Sequence, residues 1–209
     1  MTVSDQRLRP VYDALASGRH KVLSVDVFDT LLWRRVPEPD DVFLCLGQHL
    51  ASSGKLRPHI TPVAFAELRR IAQTMARERA FAATESREVT LNEIYAELPD
   101  FVFSADLSAA ARVQTELELE QSLLLLDDDV AALMSHARAC GAQVILVSDT
   151  YFSSNDIKIF LKAAGYVDFD VINRLYVSCE AGRPKFIDLF DVVLKELGIA
   201  PNELVHIGD

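Results

Sequence analysis

The apolar positions of this chain change period along its length. Residues 21–32 read KVLSVDVFDTLL, an apolar run rich in β-branched side chains that stops at Asp26, as a buried parallel strand does where it ends in a loop. A second run, QVILVSD at 143–149, follows VAALMSHARACGA, a helical pattern with Asp127, Asp128 and Asp129 at its start and Gly141 at its end. Two more runs, RLYVS at 174–178 and ELVHIGD at 203–209, flank KFIDLFDVVLKELG, a helical stretch stopped by Gly198. Strands alternating with helices of this length predict an α/β layered fold with a mostly parallel sheet.

Between the first and second strands the texture is helical. Apolar repeats at three and four residues, with Ser, Thr, Asp or Pro near their starts, predict helices over 40–52, 62–83, 91–98 and 107–126. An insert of this size exceeds a crossover connection, so 36–126 is expected to form a separate cap on a core of 1–35 and 127–209. Its charges, among them Arg69, Arg70, Arg77 and Arg79 and then Glu116, Glu118 and Glu120, are expected on solvated helix faces. Arg70 and Arg77, seven residues apart, share one face, and at the mouth of an active site they would draw in an anion.

Composition narrows the function. The 209 residues carry 31 acidic against 21 basic side chains, a net charge of −10, which disfavours nucleic acid and anionic membranes as partners. An apolar fraction of 50% with only 8 Gly and 8 Pro excludes a disordered or low-complexity chain. Cys45, Cys140 and Cys179 lack the spacing of a zinc site or a disulfide framework and read as small buried apolar residues. The N-terminus lacks the apolar centre of a signal peptide, and no apolar run approaches the ~20 residues of a membrane span. A soluble, cytoplasmic protein is expected.

In open α/β sheets a ligand sits beyond the carboxyl ends of the strands. There the four runs deliver Asp26, then Ser148 and Asp149, then Ser178 and Glu180, and last Asp209, with Lys185 a few residues after the third. Carboxylates suit Mg²⁺, whereas Ser and Lys suit a phosphoryl group, so the combination predicts a metal-plus-oxyanion site. Each residue alone has a plainer reading: Ser148 as a helix cap, Glu180 as a loop residue, His206 as a satisfied core side chain.

Taken in order, the four stretches resemble the motifs of the haloacid dehalogenase superfamily of hydrolases. The first is Asp26 with Thr30 in SVDVFDTLL; the second is Ser148 in VILVS; the third is Lys185 in EAGRPKFIDLF; the fourth is Gly208 and Asp209 in VHIGD. The resemblance covers essentially the whole chain and implies a Rossmann-like parallel core with an inserted helical cap. FDT after the first Asp and the later SDTYFS look closest to predicted hydrolases of this superfamily that accompany, or are fused to, polysaccharide-assembly glycosyltransferases. The family's fourth motif normally runs on to a second acidic residue, a helix and a further strand, so the chain reads as truncated after its fourth core strand.

The resemblance implies roles. Asp26 would be the nucleophile that forms an aspartyl intermediate; Asp26, the Phe28 carbonyl and Asp209 would hold Mg²⁺. Ser148 would hydrogen-bond a transferring oxygen, and Lys185 would neutralise charge and orient Asp26. Thr30, Arg34, Asp149 and Arg77 would serve the substrate, expected to be a small phosphorylated metabolite. Two positions depart from the pattern. The leaving-group acid of the superfamily's phosphatases stands two residues after the nucleophile, where this chain has Phe28; the acid is then either Asp29, one place later, or water. An aromatic there is a feature of the metal-independent dehalogenase branch, which is the alternative reading; a third is a catalytically silent module of a larger polysaccharide-biosynthesis protein. In the third motif Arg183 precedes Pro184, where many members have Lys, and Lys185 is preferred as the cation because it opens a helix.

Overall fold

The structure is a computed structural model and describes residues 5–208. In chain order it contains α1 (Arg9–Ala16), β1 (Val22–Val25), β2 (Leu32–Arg34), α2 (Asp41–Ser52), α3 (Pro62–Thr84), α4 (Leu91–Ala96), α5 (Ala109–Leu123) and β3 (Leu124–Leu126). It continues through α6 (Asp128–Ala139), β4 (Gln143–Ser148), α7 (Ser154–Ala163), β5 (Ile172–Val177), α8 (Ser178–Ala181), a π-helical turn at Lys185–Leu189, α9 (Phe190–Leu197) and β6 (Leu204–Ile207). The chain divides into two compact units: Arg35–Leu123, and the residues up to Arg34 together with those from Leu124 onward.

The second of these is built on a four-stranded sheet in the order β5-β4-β1-β6, parallel throughout. Strand β1 is buried at every position, which is why its sequence is continuously apolar rather than alternating. Val22, Ile145 and Val147 point to one face and pack with Leu189 and Val193 of the helical stretch before β6. The two-residue period of the strands leaves Leu23, Val25, Val144 and Leu146 for the opposite face. Helix α6 starts at an Asp127 cap that accepts from the Val130 amide at 3.0 Å and leads through Gly141, at φ +83°, into β4.

The first apolar run divides in two. After β1 a tight loop turns the chain into β2, which pairs antiparallel with β3 in the register Leu32↔Leu126, Trp33↔Leu125 and Arg34↔Leu124. Accordingly the fourth helix of the insert stops at Leu123 instead of 126: the three leucines that follow suit a strand as well as a helix, and hydrogen bonding to 32–34 decides the matter.

Helices α2–α5 make up the Arg35–Leu123 unit, with α3 packed on α2 and α4. Its charges are not all solvated. Arg69 is fully buried: its Nε and Nη2 donate to the two oxygens of Glu116 at 2.8 and 2.7 Å, Tyr95 Oη donates to the same carboxylate at 2.8 Å, and the Phe43 ring centre lies 4.6 Å from the guanidinium. Glu120 is buried as well. A charge enters a core only when paired and hydrogen-bonded, and the bidentate fork of Arg meets that condition. Arg70 is held by Glu67 at 2.5 Å and Asp40 at 3.4 Å, and Arg79 by Glu97 at 2.9 Å. Cys140 is exposed and Cys45 and Cys179 are half-buried, so none of the three is the fully buried apolar residue expected. Among the described residues no helix is long and apolar enough to cross a membrane.

Candidate active site

Because β1, β4 and β6 run parallel, their carboxyl ends meet at one edge of the sheet, and the polar residues that close each apolar run meet there too. Asp26 is only 4% exposed, and its amide donates to the Ile207 carbonyl of β6 at 2.9 Å. Its Oδ1 accepts from the Val27 amide at 2.7 Å and its Oδ2 from the Lys185 ammonium at 2.6 Å. Lys185 is anchored a second time, its amide donating to Asp149 Oδ1 at 2.8 Å. Arg183 turns instead to Asp188, so of the two candidate cations it is Lys185 that reaches Asp26.

Ser148, at the end of β4, is 1% exposed, and its hydroxyl has no hydrogen-bond partner among the described residues. It does not cap the next helix; Ser153 does that, accepting from the Asp156 amide at 3.2 Å. A buried hydroxyl left unpaired carries a desolvation cost, and an oxygen-bearing ligand would relieve it. The hydroxyl opens on a cavity of about 430 Å³ lined by Asp26, Phe28, Asp29, Ser148, Asp149, Lys185, Phe186 and Phe190.

The loop after β1 shapes one wall. Asp29 adopts a left-handed backbone at φ +57°, a conformation that Asp tolerates better than most residues, and its carboxylate lies 3.6 Å from Arg34 Nη1. The Arg34 guanidinium sits 4.4 Å from the centre of the Phe28 ring, which packs in turn on Phe152 and Phe160. Arg34 therefore supports this wall, and neither it nor Thr30 lines the cavity. On the other side Gly208, at φ +135°, brings the backbone so close to Asp26 that a Cβ would overlap the Asp26 side chain. His206 is half-buried on β6, its Nδ1 2.9 Å from Ser24 Oγ and its ring against Phe190, so it is neither fully buried nor, at Nε2, hydrogen-bonded among the described residues as the core reading expected. Glu180 caps α7, accepting from the Ser154 amide at 2.8 Å. Arg77 is exposed on α3 in the other unit, and Asp209 lies outside the described residues.

Sequence reasoning missed Phe186 and Phe190 on the cavity wall. A signal was available in KFIDLF, where the adjacent Phe186 and Ile187 cannot both turn to the core side of one helix.

The charge on the wall bears on whether a cation fits. Among the described residues Asp26, Asp29 and Asp149 on the wall meet the Lys185 ammonium and, behind Asp29, the Arg34 guanidinium, so a doubly charged phosphoryl group would still meet an excess of negative charge unless another cation joined it. The described residues contain no group of three His, Cys, Asp or Glu able to hold a metal by themselves. Mg²⁺ fits such a place, since it takes one or two carboxylates and completes its shell with water and phosphate oxygens.

The parallel sheet with Asp26 and Ser148 at its strand ends and Lys185 on the turn beside them has an α/β fold similar to that of solved haloacid dehalogenase-type structures. A HAD-family enzyme from Bacteroides thetaiotaomicron superposes with a TM-score of 0.58 at 18% identity, over 91% of this chain and 84% of that one. The L-2-haloacid dehalogenase of Xanthobacter autotrophicus with chloropropionic acid covalently bound gives a TM-score of 0.54 at 14% identity, over 90% and 69%. A predicted phosphoglycolate phosphatase from Haemophilus somnus gives 0.54 at 11%, over 91% and 77%. No family model matches the sequence, and no curated relative does.

Proposed function

We propose that the chain is a hydrolase whose substrate is a small phosphorylated metabolite, and that it acts through an aspartyl-phosphate: the Asp26 carboxylate bonds to phosphorus as the alcohol leaves, and water then releases phosphate. The observation that supports this most directly is the conjunction at one cavity of a nearly buried carboxylate, an ammonium 2.6 Å from it and an unpartnered buried hydroxyl. Lys185 and the Val27 amide hold the Asp26 carboxylate in a fixed orientation, which is what a carboxylate nucleophile needs. Ser148 Oγ is free to donate to an oxygen of the group being transferred, and Lys185 offsets the charge that accumulates beside it. Asp26, the Phe28 carbonyl and Asp209 would hold Mg²⁺, which when bound screens the repulsion between carboxylate and phosphoryl oxygens. Asp29 lines the same cavity and is the candidate to protonate the departing oxygen.

One observation favours a second reading. Phe28 fills the wall where a phosphatase of this fold class would carry its acid, and a halide leaving group needs no proton. Turnover separates the two. A phosphatase releases inorganic phosphate from an alkyl or aryl phosphate only with Mg²⁺ present and is silenced by Asp26→Asn. A dehalogenase releases chloride from 2-chloropropionate in the presence of a chelator.

A further inference from the structure

Five of the eight residues lining the cavity are polar, four with roles in the chemistry just described and Asp149 anchoring the Lys185 amide; the other three are phenylalanines. Phe28 is held among Phe152, Phe160 and Arg34, and Phe190 packs edge-on against His206 at 5.1 Å between ring centres. Phe186 differs from both. It is 82% exposed and stacks on no aromatic ring among the described residues, although it stands beside Lys185 on the cavity wall.

The backbone explains how it comes to be there. From Pro184 the chain enters a π-helical turn in which the amides of Ile187, Asp188 and Leu189 all point to the Pro184 carbonyl, at 3.3, 3.4 and 3.3 Å. This turn is wider than an α-helix. It sends Lys185 inward to Asp26 and Leu189 into the core, and leaves Phe186 and Ile187, 82% and 66% exposed, standing outward. Single π turns inside helices recur at functional sites for this reason: they re-aim side chains that a regular helix would place elsewhere. An exposed apolar residue is ordinary on a surface, but one ring at the rim of a cavity with two more along its wall is not scattered. The space, about 430 Å³, falls within the range of small-molecule sites and extends beyond the charged end that a phosphoryl group would fill.

We infer that the cavity takes a phosphate monoester whose alcohol portion carries a flat apolar ring, with Phe186 as the residue that selects for it by ring-on-ring contact. This rests on the hydrolase reading of the same site, so its test is a binding measurement that needs no turnover. Calorimetric titration of the full chain, in the presence of Mg²⁺, with 2-phenylethylphosphonate and with ethylphosphonate, both non-hydrolysable, gives the ratio of their dissociation constants. The ring-bearing ligand should bind about tenfold tighter, the scale of one aromatic contact plus the area it buries. In Phe186→Ala that ratio should fall to about twofold or less, and in Phe186→Tyr it should be kept. Equal affinities in the unaltered chain, a ratio unmoved by Phe186→Ala, or no binding of either phosphonate would each overturn the inference. The hydrolase reading stands or falls separately, on Mg²⁺-dependent release of phosphate from ethyl phosphate and its loss in Asp26→Asn.

Discussion

Single residues at the sheet edge divide by what they contribute to the fold and what they contribute to chemistry. Ser148 has no hydrogen bond among the described residues, so Ser148→Ala should leave the melting temperature unchanged or raise it, while kcat/KM for an alkyl phosphate falls about 10²-fold. A melting point lowered by several degrees would show the hydroxyl to be structural. Lys185 is the opposite case. Its side chain and that of Asp26 are 11% and 6% exposed, so Lys185→Met strands a buried carboxylate and should cost about 3–5 kcal/mol in urea unfolding as well as abolishing turnover. Asp29→Asn keeps a residue type that accepts the left-handed backbone and removes only the proton. If Asp29 is the acid, the loss should be far larger for an alkyl phosphate than for a nitrophenyl ester, whose leaving group departs unaided. Asp26, Ser148 and Lys185 were legible in the sequence because each follows directly from an apolar run or a proline-led helix start. Arg69 and Glu116 were not, because charges at helical spacing look the same whether they face water or each other across a core.

At the scale of elements, the long strands and helices announce themselves and the short ones do not. Strand β4 and helix α6 were read within a residue or two from their period and their Asp127 and Gly141 boundaries. Strands of three residues such as β2 and β3 contain too little alternation to register and exist only through pairing with each other. The π turn is invisible for a related reason: its hydrogen bonds, and not its residue types, set it apart from the helix it opens. The turn from β6 back over Asp26 tolerates only glycine. Gly208→Ala combines an overlap with Asp26 and a strained φ, and should destabilise the fold by about 2 kcal/mol or more while lowering kcat, although it changes no charge. Thermal melting and steady-state kinetics of that variant measure both effects.

For the whole molecule, a net charge of −10 sets the background against which any anionic substrate arrives. Arg70 is paired where it stands with Glu67 and Asp40, whereas Arg77 is exposed on α3, and the expectation that its charge draws in an anion is tested by removing it. Arg77→Ala should then raise KM for a phosphate ester at low ionic strength, with kcat unchanged, and the difference should shrink in about 0.5 M salt as screening shortens the reach of the charge. A KM that does not respond would leave Arg77 with no part in substrate capture. The ribbon of β2 and β3 has a further consequence. The chain leaves its sheet at Arg34 and returns at Leu124, residues that face each other in one hydrogen-bonded register, and the next pair outward, Arg35 and Leu123, is joined by an amide-to-carbonyl bond of 2.8 Å. Everything from 35 to 123 thus hangs on a doorway two strands wide. Closing that doorway with a two-residue Asn-Gly turn would make an ordinary hairpin, so this segment can be excised, or exchanged for one of unrelated shape, without cutting a single strand of the sheet that carries Asp26.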